Sequence, residues 1–327
     1  MSERNTTAAR FDTGSFAWVG ANLPTVAICT GIVLLVLVFA IANPLFASSG
    51  NLANVVRQAA YLTIFATAQS LVLMVRGFDL SLGPTVSLVS VCTALGMTGA
   101  FGPSGMVFGI LTGLAVACLV GAVNGYFVAV SRINPFIVTL ATMNIVATLA
   151  ATITNGRPIA GLPASFGLLA YAAPLGIPVQ LWITGPLLVA VYLLQSRTVF
   201  GRAQVMIGSN PRSSNVAGIP VKRITFLIYV LCSFIAGIGA VLLSARTASG
   251  EPNLGGNLTL EAIAAAVLGG ISVRGGRGTI MAPILGALFL AILANGMDAA
   301  AVNGYLQQIL LGAVIVAALG LDRLQKD

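Results

Sequence analysis

Residues 80–131 contain no Asp, Glu, Lys or Arg, and this uncharged stretch limits the possible folds more than any other feature of the chain. A soluble domain carries roughly 25% charged residues, so a stretch of this length would be foreign to it. The whole chain has 7% charged and 57% hydrophobic residues, with a mean hydropathy of +0.99. We therefore predict an all-α integral membrane protein, because helices satisfy their backbone polar groups internally when they cross lipid.

Apolar runs long enough to cross a bilayer recur along the sequence. About 20 residues cross the hydrocarbon core, so the chain has room for about ten transmembrane helices with short connections. Residues 1–20 are predicted to form a cytoplasmic N-terminal tail, residues 21–322 one transmembrane domain, and the Pro- and Gly-rich residues 155–179 an outer loop. The predicted spans, some short or broken, are approximately 24–42, 58–75, 84–99, 106–130, 135–154, 179–195, 224–245, 258–271, 279–296 and 304–321.

Residues 196–223 form the longest polar and basic stretch, with five of the sixteen basic residues and no acid. A short helix is predicted inside it. Asn210 suits the N-cap, Pro211 the first helical position, and Gly218 the left-handed residue just past the end. Such a helix is about 10 Å long at about 1.5 Å per residue. Its size and position between two spans suit docking on a soluble partner.

The distribution of basic residues predicts the orientation in the membrane. With ten crossings and both termini inside, thirteen basic residues lie on the cytoplasmic side, and only Arg57, Arg157 and Arg246 face out. Cytoplasmic loops of membrane proteins carry an excess of Lys and Arg. This bias places residues 196–223 in the cytoplasm.

Two segments interrupt the helical pattern in similar ways. RGFDLSLGP at 76–84 leads into a short apolar helix on one side of the membrane, and RTASGEPNLGGNLTLE at 246–261 leads into another on the opposite side. Broken helices in corresponding positions of two halves are typical of transporters with inverted repeats. The sequence is thus compatible with a possible inverted repeat.

Two acidic residues near the spans each have two interpretations. An acid inside a membrane is a candidate for binding an ion or a proton, but Asp79, followed by Ser81, could instead cap the helix that begins near Pro84 and pair with Arg76. Glu261 either lines a solute pathway or occupies the first turn of a short helix, where the helix dipole favours an acid.

Amides and aromatic rings near the spans are candidates for a solute pathway. Amides can hydrogen-bond to hydroxyl groups, and rings can stack on the apolar face of a sugar. The alternative for each is a packing or interfacial role. With Glu261, the candidates are Asn124, Asn144, Asn155, Phe65 and Phe136.

Several kinds of chemistry are not expected of this sequence. It contains no His, and its four Cys lie in separate apolar segments without metal-ligand spacing. No metal site, cofactor or catalytic group is therefore predicted. Nucleic acid is not an expected partner, because the basic residues do not form a dense patch with interleaved aromatics.

Five motifs, taken in order, resemble the permease subunit of ribose-type sugar importers of the ATP-binding cassette superfamily. The resemblance extends from about residue 50 to residue 320. The motifs are GFDLSLG at 77–83, RINPFIVTLATM at 132–143, TNGRPI at 154–159, GRAQVMIGSNPRSSNVAGI at 201–219 and LEAIAAAVLGGISVRGGRG at 260–278.

This resemblance implies a permease without catalytic residues, placed in the bacterial inner membrane and working by alternating access. It implies a cytoplasmic ABC ATPase, a periplasmic sugar-binding protein and a second permease copy as partners, besides membrane lipid. Residues that match the family's coupling helix, which sits in a cleft of the ATPase, are Gly208, Asn210, Ala217, Gly218 and Ile219. Residues that match the GFDLSLG motif, to which we assign a structural role, are Gly77, Asp79, Ser81 and Gly83.

A second class of protein remains open, an ion-coupled secondary transporter or a channel for a small polar solute. Such a protein needs titratable groups or ion-binding cages inside the bilayer. The sequence offers only Asp79, Glu261 and Asp298 near its spans.

Overall fold

The protein is built from α-helices, and the computed structural model describes residues 23–99 and 104–324 of it. The predicted N-terminal tail, residues 1–20, lies outside these ranges. The α-helices of the described residues are α1 (Leu23–Ala42), α2 (Ser49–Met74), α3 (Leu82–Thr98), α4 (Gly105–Gly125), α5 (Pro135–Thr154), α6 (Leu168–Tyr171), α7 (Val179–Arg197), α8 (Val199–Ser209), α9 (Pro211–Val216), α10 (Val221–Thr247), α11 (Leu258–Leu268), α12 (Met281–Ala299) and α13 (Gly304–Leu324).

Each of the ten predicted spans coincides with one of these helices. Within the described residues, α1, α4, α5, α7, α10 and α12 are long and apolar enough to cross a membrane by themselves. The remaining predicted spans are α2, α3, α11 and α13. Neighbouring helices bury α2 almost completely from Ala59 to Met74, so this helix accommodates polar residues such as Gln69 that lipid would disfavour.

One of the two predicted connections has the expected character, and the other is more ordered than expected. Residues 155–179 contain only short helical turns, including α6, before α7 begins. In the basic segment 196–223, the predicted short helix is present as α9, but the longer helix α8 precedes it. Helix α8 buries Ala203, Gln204 and Ile207 on one side, and this helical spacing is the signal that the polar composition obscured.

The two long helices α2 and α10 run in opposite directions. Tyr229, near the start of α10, donates from its hydroxyl to the carbonyl of Phe78, just beyond the end of α2, at 3.2 Å. Arg246, at the end of α10, lies over the ring of Tyr61 in the first half of α2, 5.7 Å from its centroid. Each helix is followed by an extended segment and then by a short helix.

The packing of the helices also repeats between the two halves of the chain. Helix α4 packs on α3 and α10, whereas α12 packs on α11 and α2 in the same way. Likewise α5 packs on α3, and α13 on α11. Because α2 and α10 are antiparallel, the two halves are inverted relative to each other. The contacts are those that the predicted inverted repeat requires.

Candidate functional site

The short helices α3 and α11 begin at the same place inside the protein. The backbone N–H of Gly83 donates to Oγ1 of Thr259 at 2.8 Å, and that of Gly255 donates to Oγ of Ser87 at 2.9 Å. A Cβ on Gly83 or on Gly255 would meet the backbone of the other glycine. The two chain segments therefore cross in backbone contact, which only glycine permits at these positions.

The two segments reach this crossing from opposite ends of the protein. Before α11, the backbone N–H of Glu251 donates to Oγ of Ser90 at 3.0 Å, so this segment lies along α3. After α11, the N–H of Gly276 donates to the carbonyl of Met74, at the end of α2, at 2.9 Å. Each of the segments 76–84 and 246–261 leads into a short helix, as predicted, and the N-termini of these two helices meet within the protein.

A buried polar cluster lies at the break between α2 and α3. Asp79 is 1% exposed, and its Oδ1 accepts hydrogen bonds from the backbone N–H of Ser81 at 2.9 Å and from its Oγ at 2.6 Å. Asn124 of α4 donates to the same Oγ at 2.8 Å. Asp79 Oδ2 and Asn124 Oδ1 are buried without a hydrogen-bond partner among the described residues. The cluster fixes the extended segment against α4.

The predicted pairing of Asp79 with Arg76 is wrong. The guanidinium group of Arg76 donates from Nε to the carbonyl of Gly208 at 2.6 Å and from Nη2 to the carbonyl of Ser209. The predicted capping role of Asp79 is wrong too, because Ser81 occupies the N-cap of α3 and makes no side-chain cap bond. Asp79 instead closes a tight turn with Ser81, as Asp side chains commonly do.

The end of α2, the end of α8 and the loop after α11 meet in one compact region. We call this region, formed by Met74, Arg76, Gly208, Ser209 and Gly276, the basic junction. Gly208 has no room for a Cβ, which would collide with the carbonyl of Met74 and the backbone of Gly276. These are contacts between backbone atoms, which cannot move aside as flexible side chains can. The basic junction is therefore closely packed.

Helix α9 projects from the basic junction and has a cap at each end. Asn210 Oδ1 accepts hydrogen bonds from the backbone N–H groups of Arg212 at 3.0 Å and Ser213 at 3.1 Å. Gly218 has a φ of +81°, the left-handed conformation predicted for it. Val216 is 89% exposed. The cap residues therefore set the shape of a small helix whose tip is open to solvent.

The other residues matched to the coupling motif have different surroundings. Ala217 is exposed beside the tip of α9, whereas Ile219 packs against the hydrophobic core. The backbone N–H of Ile219 donates to the carbonyl of Ser214 at 3.0 Å. Ile219 thus anchors the chain as it leaves α9.

At the opposite end of the molecule, two adjoining cavities of about 180 and 250 Å³ share Gln58, Tyr61 and Arg246. Glu261 occupies the first turn of α11, as one of its two interpretations holds, and lines the smaller cavity. Gln180, which lines the larger one, is 1% exposed, and its Oε1 has no partner among the described residues. We call these two cavities the polar cleft.

Sequence reasoning did not select Gln58, Gln180 or Arg246 for such a site. The sequence signal that could have identified Gln58 and Gln180 is an amide side chain at the start of an apolar run. Only the packing of α2 against α7 and α10 brings these side chains together.

Helix α5 carries a polar stripe on its exposed face. Asn144, Thr148, Thr152 and Asn155 are all exposed, and their spacing of three or four residues aligns them along one side. Asn155 ends the helix in the left-handed conformation, with a φ of 51°. Polar residues are unfavourable against lipid, so this face suits a partner chain or a water-filled path.

The structure separates the remaining candidates for the pathway. Phe136 is 51% exposed at the start of α5, and so remains available for contact. Phe65 is 0% exposed and packs against Gly239, so the prediction that a solute stacks on its ring is wrong in this conformation. Asn124 is fully buried in the polar cluster at the helix break.

The protein has two inverted halves, broken helices that meet inside it and a capped helix that projects from one end. These features together are those of a membrane transport permease. A family model described as "Branched-chain amino acid transport system / permease component" matches residues 51–319. The chain belongs to this family of permease components.

Three individual permeases are similar to the chain in sequence. The chain is 34% identical to the ribose import permease protein RbsC of Bacillus subtilis (strain 168), over 90% of this chain and 91% of that protein. It is 33% identical to RbsC of Escherichia coli (strain K12), over 89% and 92%. It is 34% identical to the L-arabinose transport system permease protein AraH of E. coli (strain K12), over 75% and 74%. No solved structure matches the chain.

Proposed function

We propose that this chain is the transmembrane permease subunit of an ATP-driven importer that moves a monosaccharide, a ribose-like pentose or a related sugar, across the bacterial inner membrane. The observation that carries the proposal is the direct link between α9 and the helix break. Arg76 donates hydrogen bonds to Gly208 and Ser209, immediately before α9. From Arg76 the chain continues into the segment that holds Asp79 and Gly83. The names of the relatives, which concern ribose and arabinose, support the sugar class.

In this proposal the basic junction and α9 face the cytoplasm, as do both termini, and the polar cleft faces outward. The excess of basic residues on the side of residues 196–223 supports this orientation. The contacts agree with it, since Arg57 and Arg246, both predicted to face outward, line the same cavity, while Arg76 contacts the end of α8.

The partners follow from the surfaces that the chain leaves open. A separate cytoplasmic ATPase subunit receives α9, whose exposed tip and fixed caps suit insertion into a cleft. A periplasmic sugar-binding protein delivers the solute to the outer face. A second permease copy packs opposite α5, so that the polar stripe of Asn144, Thr148, Thr152 and Asn155 lines the solute path instead of facing lipid.

The mechanism is alternating access driven through the basic junction. When ATP closes the ATPase dimer, α9 moves, and the rigid contacts of Arg76 and Gly208 transmit the displacement to the end of α2. The segment that crosses at Gly83 and Gly255 then shifts α3 relative to α11. Such a switch needs two packed states of similar free energy, biased from inside by the ATPase and from outside by the loaded binding protein.

Reconstitution tests this proposal against the ion-coupled alternative. The permease is incorporated into proteoliposomes alone or with its cognate ATPase and binding protein, and the uptake of labelled ribose, arabinose and related pentoses is measured. We expect uptake only when all components and ATP are present. Uptake by the lone permease in response to a proton or sodium gradient would contradict the importer proposal.

A further inference from the structure

A cavity of about 610 Å³ opens beside α9, and its charge is entirely of one sign. It lies between the turn that follows α4, helix α9 and the first residues of α10. Four basic residues line it, and no Asp or Glu is among the described residues of its wall. The four are Arg132, Arg212, Lys222 and Arg223.

Among the described residues, none of these four side chains has a partner of opposite charge. Arg132, Arg212, Lys222 and Arg223 make no ion pair and no side-chain hydrogen bond within the part of the chain that the structure describes. Four cations around one cavity repel one another unless an anion lies between them. The cavity is therefore suited to an anion supplied from outside the chain.

Arg132, which lines the cavity, has an unusual backbone conformation. Arg132 has a φ of 59° and Arg76 a φ of 63°, a left-handed conformation that is unfavourable for a residue with a side chain. The hydrogen bonds from the Arg76 side chain to Gly208 and Ser209 offset the cost of this left-handed conformation. Arg132 has no such compensation within the described residues, although glycine would fit its turn better. Its guanidinium group is therefore available to a ligand in the cavity.

Apolar surface continues from the cavity along the spanning helices. Val128 and Ala129 line the cavity itself. Leu227, which is 48% exposed, lies four residues beyond Arg223 and thus on the same face of α10. Val130, which is 41% exposed, ends the short π-helix Tyr126–Val130 that continues α4. A ligand that combines an anionic group with hydrocarbon chains matches both parts of this surface.

We propose that this cavity binds the phosphate headgroup of an anionic phospholipid, with the acyl chains lying along α4 and α10. Basic pockets between helices at the cytoplasmic boundary are known to suit such headgroups. The headgroup would contact Arg212 and so link α9 to the membrane surface. This inference does not depend on which solute is transported.

The purified permease in detergent provides the test. Native mass spectrometry counts bound lipid while phosphatidylglycerol or phosphatidylcholine with identical acyl chains is titrated. We expect preferential binding of phosphatidylglycerol, weakened about fivefold for each basic residue removed. The variants are Arg132→Gly, which also relieves the left-handed strain, and Arg223→Gln. The controls are Arg197→Gln and Arg202→Gln, each of which removes one charge, as each cavity variant does, from a residue outside the cavity.

Three results would overturn the proposal. The first is equal binding of the two lipids by the unmodified protein. The second is displacement of phosphatidylglycerol by millimolar inorganic phosphate, which would identify a soluble anion as the ligand. The third is unchanged lipid binding in the cavity variants together with lost binding of the ATPase subunit, which would make the cavity a docking site for that protein. Melting temperatures equal to that of the unmodified protein confirm that the variants are folded.

Discussion

The guanidinium group of Arg76 lies against the carbonyl oxygen of Gly208, with Nε donating a hydrogen bond of 2.6 Å across a sequence separation of 132 residues. This bond joins the end of α2 to the end of α8, immediately before α9. With the bond from Nη2 of Arg76 to the carbonyl of Ser209, it connects the residues that precede α9 directly to the helix break.

Replacing Arg76 with Gln should uncouple ATP hydrolysis from transport. The shorter side chain cannot reach both carbonyls, so a displacement of α9 would no longer reach the break. We expect transport per ATP hydrolysed to fall about tenfold, a factor that corresponds to a typical coupling free energy between two sites. Uptake and hydrolysis are measured in the same proteoliposomes, with Arg202→Gln as the charge-matched control. Equal coupling in both variants would remove Arg76 from the transmission route.

Replacing Gly218 with Val should also uncouple ATP hydrolysis from transport, in this case because it disturbs the backbone at the end of α9. No atom lies within 4 Å of a Cβ at this position, so the cost arises from the positive φ and not from a collision. A β-branched residue resists this conformation by about 1–2 kcal/mol, and the end of α9 should unwind. Gly218→Asn is the matched control, because Asn tolerates the left-handed region. The same uptake and hydrolysis measurements apply, and undiminished transport by the Val variant would contradict the role given to this cap.

Gly208→Ala should destabilise the protein through the basic junction. The added methyl group meets the backbone of Met74 and Gly276, and relieving such overpacking costs about 1–3 kcal/mol. We expect a lower melting temperature in detergent. Gly185→Ala, where a Cβ meets nothing within 4 Å, is the control and should be neutral or stabilising. A similar melting temperature for both variants would show that the junction is not tightly packed in solution.

Asp79→Asn should leave both folding and transport nearly unchanged. The amide carbonyl can accept the two hydrogen bonds that Oδ1 accepts from Ser81. Asp79→Ala leaves those donors buried without an acceptor and should cost about 1–3 kcal/mol of stability. Thermal unfolding and uptake are measured for each variant. Loss of uptake by a stable Asn variant would mean that Asp79 carries an ion or a proton, as the secondary-transporter hypothesis requires.

Thr148→Cys, in a background without the native cysteines, should react with a water-soluble thiol reagent in the assembled transporter. The polar stripe on α5 places this position on the proposed solute path. Leu149→Cys, the next residue and also exposed in the single chain, points to a different side and should be protected by lipid or protein. Faster labelling at 149 than at 148 would place the path elsewhere.

The two ends of α9 illustrate what could be predicted. Asn210, Pro211 and Gly218 act on backbone groups within a few residues, so their sequence order is enough to define the helix. Helix α5 depends on equally local signals, beginning at Pro135 and ending at Thr154, with Asn155 as its C-cap. Arg76 is different, because a charged side chain at a helix end has several possible partners. The sequence favours the nearby Asp79, whereas the folded chain provides Gly208 and Ser209.

Hydropathy, charge and capping residues, read along the chain, were thus sufficient to predict a membrane domain of about ten helices, its breaks at segments 76–84 and 246–261, and the short capped helix α9. These properties depend on the transfer of whole segments into lipid and on short-range capping, which are additive along the sequence. Tertiary structure alone decided that Gly83 meets Gly255, that Phe65 is buried against Gly239, and that Gln58, Gln180 and Arg246 share a cleft. Those contacts join residues far apart in sequence, and they exist only because close packing of inverted halves leaves each of these groups one place to lie.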